Sequence, residues 1–122
     1  MRAAVIGLGW WGKQIIKCLN ESKKIDITHA FDPQISKDDP VFSKFSVDPS
    51  LNFDAIIDSP SVDAVILATP NQFHEKHTIS FLNAKIPVLL EKPISSNIQK
   101  AKKIIDGTAR CLILKARASP KD

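Results

Sequence analysis

No stretch of this 122-residue sequence approaches the ~20 consecutive apolar residues that a bilayer-spanning helix requires, so no transmembrane helix is expected. The opening, Met1-Arg2-Ala3-Ala4-Val5-Ile6-Gly7, has the outline of a secretory leader. Its apolar stretch is short and glycine-broken and lacks a small-residue cleavage pattern, so a leader is not expected either. Cysteine is scarce. Cys18 and Cys111 stand far apart and match no metal-ligand spacing, so no metal site is expected. Two such thiols read as reduced residues of a cytoplasmic protein, and a disulfide between them has no positive support. There is no tyrosine, and nothing follows from that. No internal repeat or low-complexity segment is present. Glycine numbers only four, which gives weight to where three of them fall.

Hydrophobic residues at 43% are enough to cover a sheet on both faces, and 25% charged residues match an ordinary soluble protein of one domain. The net charge of +4 is unevenly spread. Residues 1–91 carry nine Lys/Arg against eleven Asp/Glu, whereas residues 92–122 carry eight against two. A basic tail is consistent with an anionic partner such as nucleic acid, or simply with a solvated helix face and a ragged end. Neither interleaved aromatics nor a recognition motif supports the nucleic-acid reading, which ranks last.

Short apolar runs alternate with helix-period stretches, the pattern of βαβ units around a parallel sheet. Ala3–Ile6 reads as a buried strand, followed by a helix from about Trp10 to Asn20 with Trp11, Ile15, Cys18 and Leu19 on its inner face. Ile25–Phe31 reads as a second strand, stopped at Asp32-Pro33. Residues 33–50 read as loop with one short edge strand near Phe45–Val47. A brief helix over Leu51–Asp58 leads to a central strand, Val62–Ala68, broken by Thr69-Pro70-Asn71. A helix over Gln72–Ala84 is expected to bury Phe73, His77, Ser80, Phe81 and Ala84. Pro87–Glu91 is a further strand. Asn97 caps a last helix running to Gly107, and Cys111–Leu114 forms a final strand. The fold class expected is α/β, a doubly wound parallel-sheet Rossmann fold in a single domain.

Gly7-Leu8-Gly9-Trp10-Trp11-Gly12 fits G-x-G-x-x-G, directly after a strand and opening a helix. In a dinucleotide site Gly7 permits the tight turn, Gly9 lets the backbone approach a pyrophosphate, and Gly12 lets helix and strand pack closely. The helix-start amides then face the anion. An acidic residue should follow about 20 positions on to hold the adenosine ribose, and Asp32 lies there. A carboxylate at that place favours NAD over NADP, because it accepts from the 2′-hydroxyl and repels a 2′-phosphate. Lys37 is the nearest cation downstream. Trp11 is expected in the helix–sheet core. Trp10 is open between a half-exposed packing role and stacking on a ligand ring.

Three further strings carry a resemblance. Val62-Asp63-Ala64-Val65-Ile66-Leu67-Ala68-Thr69-Pro70-Asn71 with His74, Phe81-Leu82-Asn83-Ala84-Lys85, and Pro87-Val88-Leu89-Leu90-Glu91-Lys92-Pro93 occur in that order. Together they resemble the glucose–fructose oxidoreductase / inositol dehydrogenase (Gfo/Idh/MocA) family over residues 2–106. The resemblance implies that Thr69, Pro70, Asn71 and His74 border the cofactor and that Glu91 and Lys92 flank the nicotinamide ribose. It further implies that Lys92 is the catalytic residue, assisting proton transfer at the substrate hydroxyl. Read on residues alone, the lesser alternatives are a polar residue of a first helical turn for His74 and a solvated strand end for Glu91-Lys92.

Relatives of this kind continue into a second, substrate-binding domain with no counterpart here. The expected organisation is therefore a cofactor domain over 1–118 and a basic tail over 119–122. The expected partner is the dinucleotide, with a sugar-like substrate only if a second domain is supplied, and with self-association through uncovered apolar surface. A stand-alone nucleotide-binding or redox-sensing module is the alternative.

Overall fold

The computed structural model describes residues 1–50, 52–70, 73–91 and 111–114. Along the chain these form β1 (Arg2–Ile6), α1 (Trp10–Ser22), β2 (Asp26–Phe31), α2 (Pro40–Phe45), β3 (Asp48–Pro49), α3 (Phe53–Ile57), β4 (Ala64–Leu67), α4 (His74–Asn83), β5 (Val88–Glu91) and β6 (Cys111–Leu114). The six strands make one sheet in the order β3-β2-β1-β4-β5-β6, every pair parallel.

Continuous apolar runs become inner strands because a parallel strand is covered on both faces. Successive side chains of β1 point to opposite sides. Ala3 and Val5 join a core cluster with Ile16 of α1 and with Val41 and Phe42 of α2. Ala4 and Ile6 join the other, with Ile56 of α3 and Phe81 of α4. Helices thus cover both faces, the doubly wound arrangement. The order reverses between β1 and β4, and at such a switch point a crevice opens beyond the carboxyl ends of the strands. At the opposite ends, Arg2 braces β1 against the lead-in to β4. Its guanidinium contacts both carboxylate oxygens of Asp63 at 3.2 Å, and its amide donates to Asp63 Oδ2 at 2.9 Å.

Three local expectations are corrected. The stretch 33–50 contains a helix, α2, and its edge strand is Asp48–Pro49 rather than 45–47. Asp39 caps α2 by accepting from the Val41 amide, and Pro40 supplies the preset first-turn dihedral. The inner face of α1 is Gly12, Ile15, Ile16 and Leu19. Trp11 is 45% exposed and Cys18 is free and exposed. The physical reason is Gly12: its contact with the Gly7 backbone fixes the helix rotation, and positions 11 and 18 turn to the flank. In α4 the sheet-facing residues are Thr78 and Phe81. Phe73 and Ala84 are exposed, and His77 and Ser80 are half-buried. The last helix expected over 97–107 lies outside the described residues. Among the described residues no helix is long and apolar enough to cross a membrane.

Candidate functional site

The chain leaves β1 through Gly7 at φ +98°, a conformation that L side chains rarely adopt. The Gly7 amide donates to the Phe31 carbonyl at 2.8 Å. A Cβ at Gly7 would stand 2.7 Å from the Ala68 carbonyl oxygen, so this turn lies directly against the end of β4. A Cβ at Gly12 would overlap the Gly7 carbonyl, which is why the helix can approach the strand only with glycine there. Gly9 differs from both. It precedes α1 in an extended conformation, and a Cβ built on it would meet nothing within 4 Å. Neither a side-chain cap nor an acidic first-turn residue occupies the start of α1. The positive end of the helix dipole is therefore available to an anion.

Asp32 sits just past β2 and is fixed at both oxygens. Oδ2 accepts from the Leu8 amide and Oδ1 from the Gln34 amide, each at 2.8 Å. Leu8 itself is buried in the core beneath. The sequence reading missed this second duty of the carboxylate, as brace of the glycine loop.

A cavity of about 820 Å³ opens at the switch point, within the range of small-molecule sites. Gly7, Gly9, Trp10, Trp11, Asp32, Thr69 and Pro70, all singled out from sequence, line it together. Leu8 and Gly12 act from behind, by backbone contact and close packing. The indoles of Trp10 and Trp11 stack at 5.5 Å and 22°, with Trp10 71% exposed. His74 opens α4 and Glu91 closes β5. Asn71 and Lys92 lie outside the described residues. The far wall, made by Phe53, Asp54 and Ile57 of α3 with Phe73, Lys76, His77 and Ser80, had no motif to announce it.

These features fit a dinucleotide. Two glycines are demanded by packing, the third faces open space at an uncapped helix start, and a braced carboxylate borders the same cavity. The family model described as "Oxidoreductase family, NAD-binding Rossmann fold" matches residues 1–110. The chain belongs to this Gfo/Idh/MocA family. It is 33% identical over 112 residues to the uncharacterized oxidoreductase YgjR of Escherichia coli K12, covering 91% of this chain and 33% of that protein. It is 33% identical over 115 residues to the inositol 2-dehydrogenase of Rhodococcus erythropolis, covering 89% and 32%. The scyllo-inositol dehydrogenase of Lactobacillus casei, solved with NAD(H) and scyllo-inositol, shares the fold at a TM-score of 0.76 and 24% identity, covering 87% and 33%. The chain thus spans about a third of the length of these curated relatives.

Proposed function

We propose that this chain is the NAD-binding domain of a dehydrogenase that acts on a hydroxyl-bearing carbon of a polyol or sugar-like molecule. The observation that carries the proposal is Asp32. Its carboxylate is held at the cavity wall by two backbone amides, and each oxygen keeps a lone pair for a ribose hydroxyl. A 2′-phosphate would meet that charge at close range, so NAD is preferred over NADP. Gly9 and the start of α1 receive the pyrophosphate.

Bound nicotinamide supplies hydride acceptance or donation; the chain supplies position. Thr69 and Pro70, with Asn71 and His74 next to them in sequence, border the cofactor. Lys92, which follows β5 in the sequence, holds or moves the proton of the substrate hydroxyl, and Glu91 flanks the nicotinamide ribose. The printed activities of the Rhodococcus and Lactobacillus relatives support the polyol class. The substrate is closed in by a second domain, so this chain alone binds NAD without turning over polyols or aldoses. The free, exposed Cys18 is in keeping with a reducing, cytoplasmic setting.

Both tryptophans line the cavity, so their fluorescence reports its occupancy. Titration with NAD should quench or shift that emission, with calorimetry giving an affinity at least tenfold tighter than for NADP. Equal affinities would remove the Asp32 argument, and NADH formation above background with a polyol and aldose panel would remove the need for a second domain.

A further inference from the structure

A second groove lies between α1 and α2, across the sheet from α3 and α4, and shares no lining residue with the cofactor cavity. Its volume is about 350 Å³, at the small end of the range for small-molecule sites. Lys13 and Lys17, one turn apart on α1, line one side. Asp39 at the start of α2 and Lys44 in its last turn line the other. Three ammoniums thus share the groove with a single carboxylate, and that carboxylate is already engaged. Asp39 Oδ2 accepts from Lys13 Nζ at 3.1 Å, and Oδ1 accepts from the Val41 amide at 3.0 Å. The pair fixes Lys13 in place and spends the one negative charge. Lys44 is held as well, with Nζ 5.3 Å from the centroid of the Phe45 ring. Phe45 is half-buried and Val41 buried, which gives the groove an apolar wall beside its cations.

The surplus positive charge is confined to one short groove. A phosphate monoester matches it, since at neutral pH it carries about two negative charges and three acceptor oxygens on one phosphorus. A lone carboxylate brings half that charge. A nucleic acid spreads single charges along a track, and this patch offers none. Glu21, one turn past Lys17, and Asp38, next to Asp39, bound it with the opposite sign. We infer that the groove between α1 and α2 binds a small phosphate monoester, with Lys13, Lys17 and Lys44 at the phosphoryl group and Phe45 against the carbon skeleton. This site is separate from the dinucleotide cavity, so it stands or falls independently of the cofactor reading.

The test is a titration of the isotope-labelled chain with glucose 6-phosphate as probe and glucose as uncharged control, followed by amide chemical shifts at about 0.15 M salt. Saturating shifts should appear at Lys17, Lys44 and Phe45 with the ester and not with glucose. They are read apart from shifts at Gly9 and Trp10, where any phosphate could also meet the start of α1. Lys17→Ala and Lys44→Ala should each weaken the ester by roughly two- to fivefold. Lys24→Ala removes an equally exposed lysine outside the groove and should leave the affinity unchanged. All three substitutions fall on exposed residues, and thermal melts verify that the variants fold. Shifts confined to Gly9 and Trp10, or equal weakening by all three substitutions, would overturn the site. A single-stranded oligonucleotide that moves the same groove amides more tightly than the ester would overturn it too, in favour of a nucleic-acid surface.

Discussion

The Leu8 amide donates to Asp32 Oδ2 at 2.8 Å, so the residue proposed to accept the ribose also holds the glycine loop in place. Asp32→Ala should therefore have two separable effects. The abandoned amides of Leu8 and Gln34 should lower unfolding free energy by about 1–3 kcal/mol in urea titrations. NAD affinity should fall by roughly tenfold or more, with the NAD-over-NADP preference lost. A variant that loses stability but keeps its cofactor preference would leave Asp32 as a brace only.

Gly9 and Gly12 should respond in opposite ways to the same methyl group. Gly12→Ala drives a Cβ into the Gly7 carbonyl, a clash with backbone that no side-chain rearrangement relieves, and should cost upward of about 2 kcal/mol. Gly9→Ala enters open space from an ordinary negative φ and should leave the melt within about 0.5 kcal/mol of wild type. It should nevertheless weaken NAD by roughly tenfold or more, because the methyl stands where the pyrophosphate must approach. Parallel melts and titrations of the two variants check both halves.

What could be read from sequence follows from how each feature is encoded. β1 and β4 are written as continuous apolar runs, and the glycine loop and Asp32 follow from a spacing that one ligand imposes. Helix α2 looks like loop in the sequence because six residues are too few to show a 3.6-residue period. Its signals, Asp39 and Pro40, sit among charged and proline residues that also spell a turn. The exposure of Trp11 is not legible in the sequence because periodicity fixes which residues share a face but not the rotation of the helix, which the Gly12–Gly7 contact decides. On the far wall of the cavity, Phe73 and His77 share a stripe that helical period reveals, whereas Phe53 is brought against His77 only by the crossover through β4, which no local pattern encodes.

Thr78 is fully buried in α4, and its hydroxyl has no hydrogen-bond partner among the described residues. Valine has the same branched shape without the polar atom. Thr78→Val should therefore stabilise the fold by about 1 kcal/mol, the desolvation cost of an unanswered hydroxyl. A rise in the urea midpoint at unchanged slope is the expected reading, and a fall would mean that the hydroxyl has work the structure does not reveal.

Two carboxylates should contribute to the acid limb of stability. The Arg2 guanidinium, and then the Arg2 amide, hold Asp63 below the usual carboxylate range. The Val41 amide, and then Lys13, do the same for Asp39. A group whose value is depressed by folding stabilises the native state above its unfolded pKa of about 4, and that contribution fades as pH falls through the folded value. The melting temperature should thus drop below about pH 4, and Asp63→Asn should flatten the drop while lowering stability at neutral pH. An unchanged acid limb in that variant would assign the loss to other groups.

The strand order has a consequence for how the chain is made. β1 precedes the other strands of this sheet along the chain yet lies inside it, and on one side its partner is β4, so that Ala3 must wait for Ala64. Until then Ala3–Ile6 has β2 on one edge and an open ladder on the other, on a nascent chain that already carries α1 and α2. Parallel pairing across such a separation is slow, because the intervening chain must be closed before any contact rewards it. The interval between the emergence of Ile6 and that of Leu67 is therefore a stage of synthesis at which the unpaired edge of β1 is open to strand mispairing.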